Sequence, residues 1–306
     1  MPLNKILFIF SIILYSNAND KYLLAFIDAN NDNTVMEYNI NTKERQIYTD
    51  SYATKEHPDW DIERAFYNNG RIFVRILDSS SGASGEVINE KKIVNKNKDI
   101  LIVGSLKKRK LLLAWVYSDK KDKYNLPFNT WNLYLLDLNL NKVKLVGDYP
   151  SQWNNIIISD DEFIYAEKIQ GKIRDNKYVK LWLYNIRTGK KIRLKKLENI
   201  CGDIKFYRSK TKQLVCSQED IDSKKIFLTD IYGMNQEKID INSSISPRSL
   251  TFLYYSSKND SFFYRDASFN LLRFKEIYSL QSYNFKTKKS VLIEDNIILR
   301  SMDIID

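Results

Sequence analysis

The residues able to do chemistry in this 306-residue chain are few and widely spaced. His57 is the sole histidine. It stands beside Pro58, with Asp59 and Asp61 close in sequence, and would work as a general base only if one of those carboxylates oriented its ring. In a linker such a histidine reads first as a solvent-facing turn residue. Four carboxylates, Asp61, Glu63, Asp203 and Asp303, fall on stretches that read as inner strands. Carboxylates converging on one pocket are what glycoside chemistry or a calcium-assisted hydrolysis needs. Whether these four converge depends on strand alternation, which a one-residue change of register reverses. The sequence has no GxSxG nucleophile elbow, no HExxH and no Cys–His cluster, so it names no catalytic residue, no cofactor and no metal ligand.

Cys201 and Cys216 are the two cysteines. Between them lies the turn RSKTKQ, and a symmetric hairpin about that turn sets the cysteines opposite each other. They lack a CxxC spacing and neighbouring histidines, so a structural disulfide is favoured over free thiols or a metal pair. The compartment follows from the N-terminus, where Lys5, the apolar run Ile6 to Tyr15 and Ser16-Asn17-Ala18 have the order of a secretory signal. This gives a signal peptide over residues 1–18 and a mature chain from residue 19 to 306. Ten apolar helical residues at about 1.5 Å each cover only about 15 Å of a roughly 30 Å hydrocarbon core. The expectation is an exported protein, periplasmic or secreted, that does not span a membrane. A formal charge of +10 includes clusters at Lys107-Lys108-Arg109-Lys110 and Lys190-Lys191. A solvated rim is the first reading of these clusters, and contact with an acidic polymer or lipid headgroups the second. Nucleic acid is not an expected partner.

The elements that position these residues come from a repeat. YNIRTGKKIRL from Tyr184 has counterparts in YNINTKERQIY from Tyr38, LDLNLNKVKLV from Leu136, TDIYGMNQEKI from Thr229 and YNFKTKKSVLI from Tyr283. Each reads as strand, polar turn and strand, with Asn or Asp leading into the bend. The spacing is roughly 50 residues, near the period of propeller blades. Six blades follow. Only three strands precede the first linker, so Ile297 to Ile304 supplies the innermost strand of blade one and closes the ring, which removes open sheet edges. Blade two runs from Trp60 to Val94, with SSSGASG replacing much of its third strand. Blades three to six run from Asp99 to Val146, Gln152 to Leu194, Asn199 to Asp240 and Pro247 to Ile293. The fold class is therefore all-β, a six-bladed propeller of four-stranded antiparallel blades in a single domain.

SISPRSLTFLYYSSKNDSFFY at Ile245 to Tyr264, together with the blade-closing YNIRTGKK, resembles the six-bladed propellers of the TolB-like and PD40 (WD40-like) type. These are related in shape to the N-terminal propellers of prolyl oligopeptidase-like enzymes. The resemblance implies a propeller throughout the mature chain. TolB carries an additional N-terminal domain ahead of its propeller, whereas here the first blade directly follows the signal, so TolB's function is not carried over.

Propeller topology puts the links between second and third strands at the same end of the ring as the links between blades. Those are the long segments in this chain, and long loops on a rigid scaffold are where binding concentrates. They place His57, Asp59, Trp60 and Asp61, then Tyr149, Gln152 and Trp153, then Arg248 at the channel mouth, with Tyr124, Phe128 and Trp131 in or beside the longest loop. Aromatic and charged residues around a concavity suit a protein, peptide or glycan partner; Trp60 and Trp153 could equally be packing plugs between blades. The function expected is non-enzymatic binding at that mouth. The alternatives are a channel hydrolase or lyase acting on a carbohydrate or lactone, and a structural module whose basic rim touches acidic envelope polymer.

Overall fold

The computed structural model describes residues 20–27, 33–49, 61–77, 82–88, 92–97, 99–118, 130–148, 155–168, 179–219, 224–239, 251–270, 275–295 and 297–305. The stretch read from sequence as a signal, residues 1–18, lies outside them. Blade one holds β1 (Lys21–Ile27), β2 (Asn33–Asn39) and β3 (Arg45–Thr49). Blade two holds β4 (Asp61–Asn68), β5 (Arg71–Leu77), β6 (Gly82–Ile88) and β7 (Lys92–Asn97). Blade three holds β8 (Ile100–Leu106), β9 (Leu111–Ser118), β10 (Thr130–Asp137) and β11 (Lys142–Asp148). Blade four holds β12 (Ile156–Ile157), β13 (Glu162–Lys168), β14 (Val179–Asn185) and β15 (Lys191–Arg193). Blade five holds β16 (Asp203–Arg208), β17 (Gln213–Glu219), β18 (Lys224–Asp230) and β19 (Glu237–Lys238). Blade six holds β20 (Thr251–Ser256), β21 (Ser261–Asn270), β22 (Lys275–Asn284) and β23 (Lys289–Asp295). The last strand, β24 (Ile298–Ile305), pairs antiparallel with β1, so each blade is a four-stranded antiparallel sheet and the ring closes through blade one. Around the channel β24 touches β4, β4 touches β8, and the series continues through β12, β16 and β20 back to β24.

Each sheet is buried on both faces. Leu23 and Ala25 pack against Ile62 and Val74 of blade two, while their neighbours Tyr22 and Leu24 pack against Phe263 and Leu280 of blade six. Six such clusters alternate with the six blades. A strand with two dry faces has no polar side to show, which is why β8 and β9 read as the unbroken runs ILIV and LLLAWV.

The repeated turn between third and fourth strands is held by its leading Asn or Asp. Asn39 Oδ1 accepts from the N–H of Asn41 and Thr42 at 2.9 and 3.0 Å. Asp137, Asn185, Asp230 and Asn284 make the equivalent side-chain turns. A short polar side chain bonding its own backbone two or three residues on is the physical content of this sequence signal.

Three features depart from the sequence reading. GASG is not loop: Gly82 to Gly85 belong to β6, paired with β5. Small residues are required there, because a Cβ on Gly85 would lie 2.8 Å from Ile93 Cγ2, and buried Ser84 accepts from the Ile102 N–H of blade three at 2.9 Å. A short helix, α1 (Lys195–Ile200), fills the link into blade five, with Leu197 fully buried and Glu198 accepting from the Leu181 N–H at 2.9 Å. The Cys201–Cys216 disulfide forms, but not as a rung between opposed strands: Cys216 lies opposite Ile204, and Cys201 reaches it from the end of α1.

Candidate functional site

Five of the six innermost strands carry a β-bulge at corresponding positions. The residues opposite Ile76 and Arg75 are Ile62 and Arg64, leaving Glu63 extra in β4. By the same pairing Val103 is extra in β8, Lys205 in β16, Leu253 in β20 and Arg300 in β24. A bulge sets two residues against one and re-aims their side chains. Here it turns Val103 with Gly104, Lys205 with Phe206, Leu253 with Tyr254, and Arg300 with Ser301 onto a central cavity of about 550 Å³ that all six innermost strands line.

The cavity mixes aromatic and basic side chains, with Lys205 on the same strand as two of the rings. Phe206, Tyr207, Phe252, Tyr254 and Tyr255 come from β16 and β20, and Arg64 and Arg300 from β4 and β24. Phe206 and Tyr255 stack on each other at 5.5 Å and 8°. Burial and the hydrogen bond to Asp260 push the Tyr255 hydroxyl up to about 12. Toward the ends of the strands, Lys107 contacts Asp303 and donates to the Ile304 carbonyl, and Lys108 stands by Asp160. The cluster read as a solvated rim is thus split. Lys107 and Arg109 are tied down, Arg109 by Asp161, while the Lys108 side chain is 87% exposed.

The four candidate carboxylates do not converge. Asp61 pairs with Arg300 at 2.9 Å, Glu63 with Arg75 at 2.7 Å, and Asp203 with Lys205. Only Asp303 of the four lines the cavity. It accepts from the Tyr67 N–H at 2.8 Å, and burial pushes its carboxyl up despite Lys107. Among the described residues no group of three His, Cys, Asp or Glu could hold a metal ion, and no helix is long and apolar enough to cross a membrane.

Of the mouth residues proposed from sequence, Asp61 and Trp131 are described, and Trp131 stands edge-on to Tyr117 at 5.9 Å as a cross-strand pair. His57, Asp59, Trp60, Tyr124, Phe128, Tyr149, Gln152, Trp153 and Arg248 lie outside the described residues. The sequence reading missed Arg64, Lys205 and Arg300. Aligning DIER, DIKF and ILRS as equivalent inner strands would have put a cation at or next to one shared position in all three.

No family model and no curated protein matches the sequence. Solved structures do match across nearly the whole chain. A chain of a nidogen–laminin complex is 8% identical with a TM-score of 0.58, covering 93% of this chain and 98% of that one. TolB from Acinetobacter baumannii is 10% identical with a TM-score of 0.57, covering 94% of this chain and 67% of TolB. A prolyl endopeptidase, one of two studied for interdomain dynamics, is 7% identical with a TM-score of 0.58; the match covers 93% of this chain and 49% of the enzyme. At these identities the likeness is one of fold, the six-bladed propeller of TolB type.

Proposed function

We propose that the chain is an exported binding propeller without catalytic activity, engaging a protein, peptide or glycan where the interblade links gather at the channel mouth. The observation that carries this reading is the cavity itself. It is preformed by all six blades, lined by aromatic rings chiefly from β16 and β20 and by cations from β4, β16 and β24, and only one of the four candidate carboxylates lines it. A rigid ring limits the ordering cost of association, so contact area is turned into affinity efficiently. The similar chain from the nidogen–laminin complex supports the reading to the extent that a scaffold of this shape occurs in an assembly of two proteins. Export is supported by the signal-like N-terminus and by a disulfide whose two cysteines are buried.

The test is selection of ligands from a phage-displayed peptide library and a glycan array, repeated with Trp131→Ala and Tyr254→Ala proteins that melt like the parent. Binding that weakens at least tenfold in either variant is the expected result. Ligands indifferent to both substitutions, or hydrolysis of model glycosides or lactones that disappears in Asp303→Asn, would overturn it. Sequencing the exported product should find Asn19 at its N-terminus; a product still beginning at Met1 counts against export.

A further inference from the structure

The charges of the channel are unevenly compensated. Among the residues lining the cavity are five cations, Arg64, Lys107, Lys108, Lys205 and Arg300, and two carboxylates, Asp160 and Asp303. Both carboxylates are already matched by Lys107 and Lys108 where the inner strands end. At the bulges, Arg64, Lys205 and Arg300 share the cavity with no lining carboxylate at their level. Asp61 and Asp203 pair with Arg300 and Lys205 from positions nearer the strand starts, which leaves Arg64 as the cation of the three without a carboxylate. The Arg64 guanidinium forms no ion pair among the described residues and is exposed to the cavity. A cation left without a carboxylate on the wall of a channel has an unmet charge, and an arriving anion meets it.

We propose, resting on the binding reading above, that the channel recognises the carboxylate of a peptide segment, received at the level of the bulges by Arg64 with Lys205 and Arg300. Arginine suits this group because its planar fork pairs a carboxylate through two parallel hydrogen bonds. The size of the cavity, about 550 Å³, accommodates a short segment or tail and excludes a folded domain. The aromatic rings of β16 and β20, among which Lys205 stands, say what accompanies the charge. Phe206 lies face to face with Tyr255 and tilts against Phe252 and Phe262, so the Phe206 ring and one face of Tyr255 are already engaged. Sugar rings bind aromatics through free faces, whereas aliphatic side chains pack against edges as well. The ring cluster therefore fits an apolar residue beside the carboxylate. The carboxylate itself belongs either to a chain terminus or to an Asp or Glu side chain.

The experiment titrates the purified chain into hexapeptides of alternating leucine and glycine that carry a neutral fluorophore at the N-terminus. One has a free C-terminus, a second is amidated, and a third is amidated with one glutamate replacing a glycine. Hexagalacturonate is a fourth probe. The free acid, the glutamate peptide or both should bind at least tenfold more tightly than the neutral amide, and which of them does so identifies the source of the carboxylate. That advantage should collapse in Arg64→Gln and shrink in Lys205→Gln. It should also weaken with added salt. Equal affinity for acid and neutral amide, or a preference for acid that survives both substitutions, would overturn the inference. Tight hexagalacturonate binding without peptide binding would overturn it in favour of an acidic glycan. Binding that ignores charge but is lost in Trp131→Ala would sink this inference while leaving the binding propeller standing.

Discussion

Arg208 and Asp260 join blade five to blade six through two parallel hydrogen bonds, 2.7 and 2.6 Å, with the Arg208 guanidinium 4.1 Å from the centre of the Phe285 ring. The Tyr255 hydroxyl adds a third bond to Asp260 at 3.0 Å. Both ionic side chains are nearly enclosed, at 13% and 11% exposure. Removing one partner of such a pair leaves the other charged and poorly solvated, a loss of about 3–5 kcal/mol. The hydrogen bond from Arg208 holds the Asp260 carboxyl below its ordinary range. Between the lowered folded value and the ordinary unfolded one, the unfolded chain binds more protons, so stability rises with pH across that window. The contribution is complete above about pH 4 and is lost as pH falls through the folded value. Asp260→Asn should therefore lower stability by about 3 kcal/mol at neutral pH and flatten the acid limb of the stability curve. Urea unfolding at pH 7 and pH 3 checks both, and a variant whose loss is equal at the two pH values would contradict the assignment.

At the scale of elements, the repeated turn shows how far sequence patterns reach. Its Asn or Asp signal predicted five hairpins, and five Asx turns are found. One position in that turn takes a left-handed backbone: it is Gly189 (φ 69°) in blade four but Lys43 (φ 62°) in blade one and Lys288 (φ 55°) in blade six. A side chain in that region costs roughly 1–2 kcal/mol, partly offset by the entropy glycine loses on folding. Lys288→Gly should thus raise stability by about 0.5–1 kcal/mol, and Gly189→Ala should lower it by a similar amount, both read as shifts in urea midpoint. The Cys201–Cys216 bond, spanning 15 residues, is worth about 3 kcal/mol, so reducing it should lower the midpoint; no shift on complete reduction would show the cross-link to be energetically idle. The inner strands mark the limit of legibility. Their existence follows from apolar runs, but a bulge at Glu63, Lys205 or Arg300 advances the side-chain phase by one residue, and nothing in strict alternation reveals it. For that reason the sequence left open which of the carboxylates face the channel, where only Asp303 does, and passed over Arg64, Lys205 and Arg300. GASG was misread for a related reason: composition marks it as loop, while close packing against Ile93 is what demands small residues.

The whole molecule depends on a seam that no local pattern contains. β24 pairs with β1 along its length, and its side chains also engage the next blade: Ser301 Oγ accepts from the Ala65 N–H at 2.9 Å and Asp303 from the Tyr67 N–H at 2.8 Å. The last strand therefore satisfies donors in blade two as well as completing blade one. Leu299 is fully buried, and Ile297 and Met302 are nearly so, within the cluster shared by blades six and one. Burying three such side chains contributes about 5–9 kcal/mol at roughly 1.5–3 each. That is comparable with the roughly 5–15 kcal/mol that separates folded from unfolded domains. Deleting residues 297–306 should therefore abolish the cooperative melt rather than merely lower it, because it exposes β1 as an edge and withdraws the partners of Ala65 and Tyr67 together. Ser301→Ala, which removes one hydrogen bond and leaves the apolar contacts, should cost only about 1 kcal/mol and keep a single transition. If the truncated chain melted as the full one does, the ring would owe little to its seam; if only blade one lost hydrogen-exchange protection, the blades would be separable units stacked side by side.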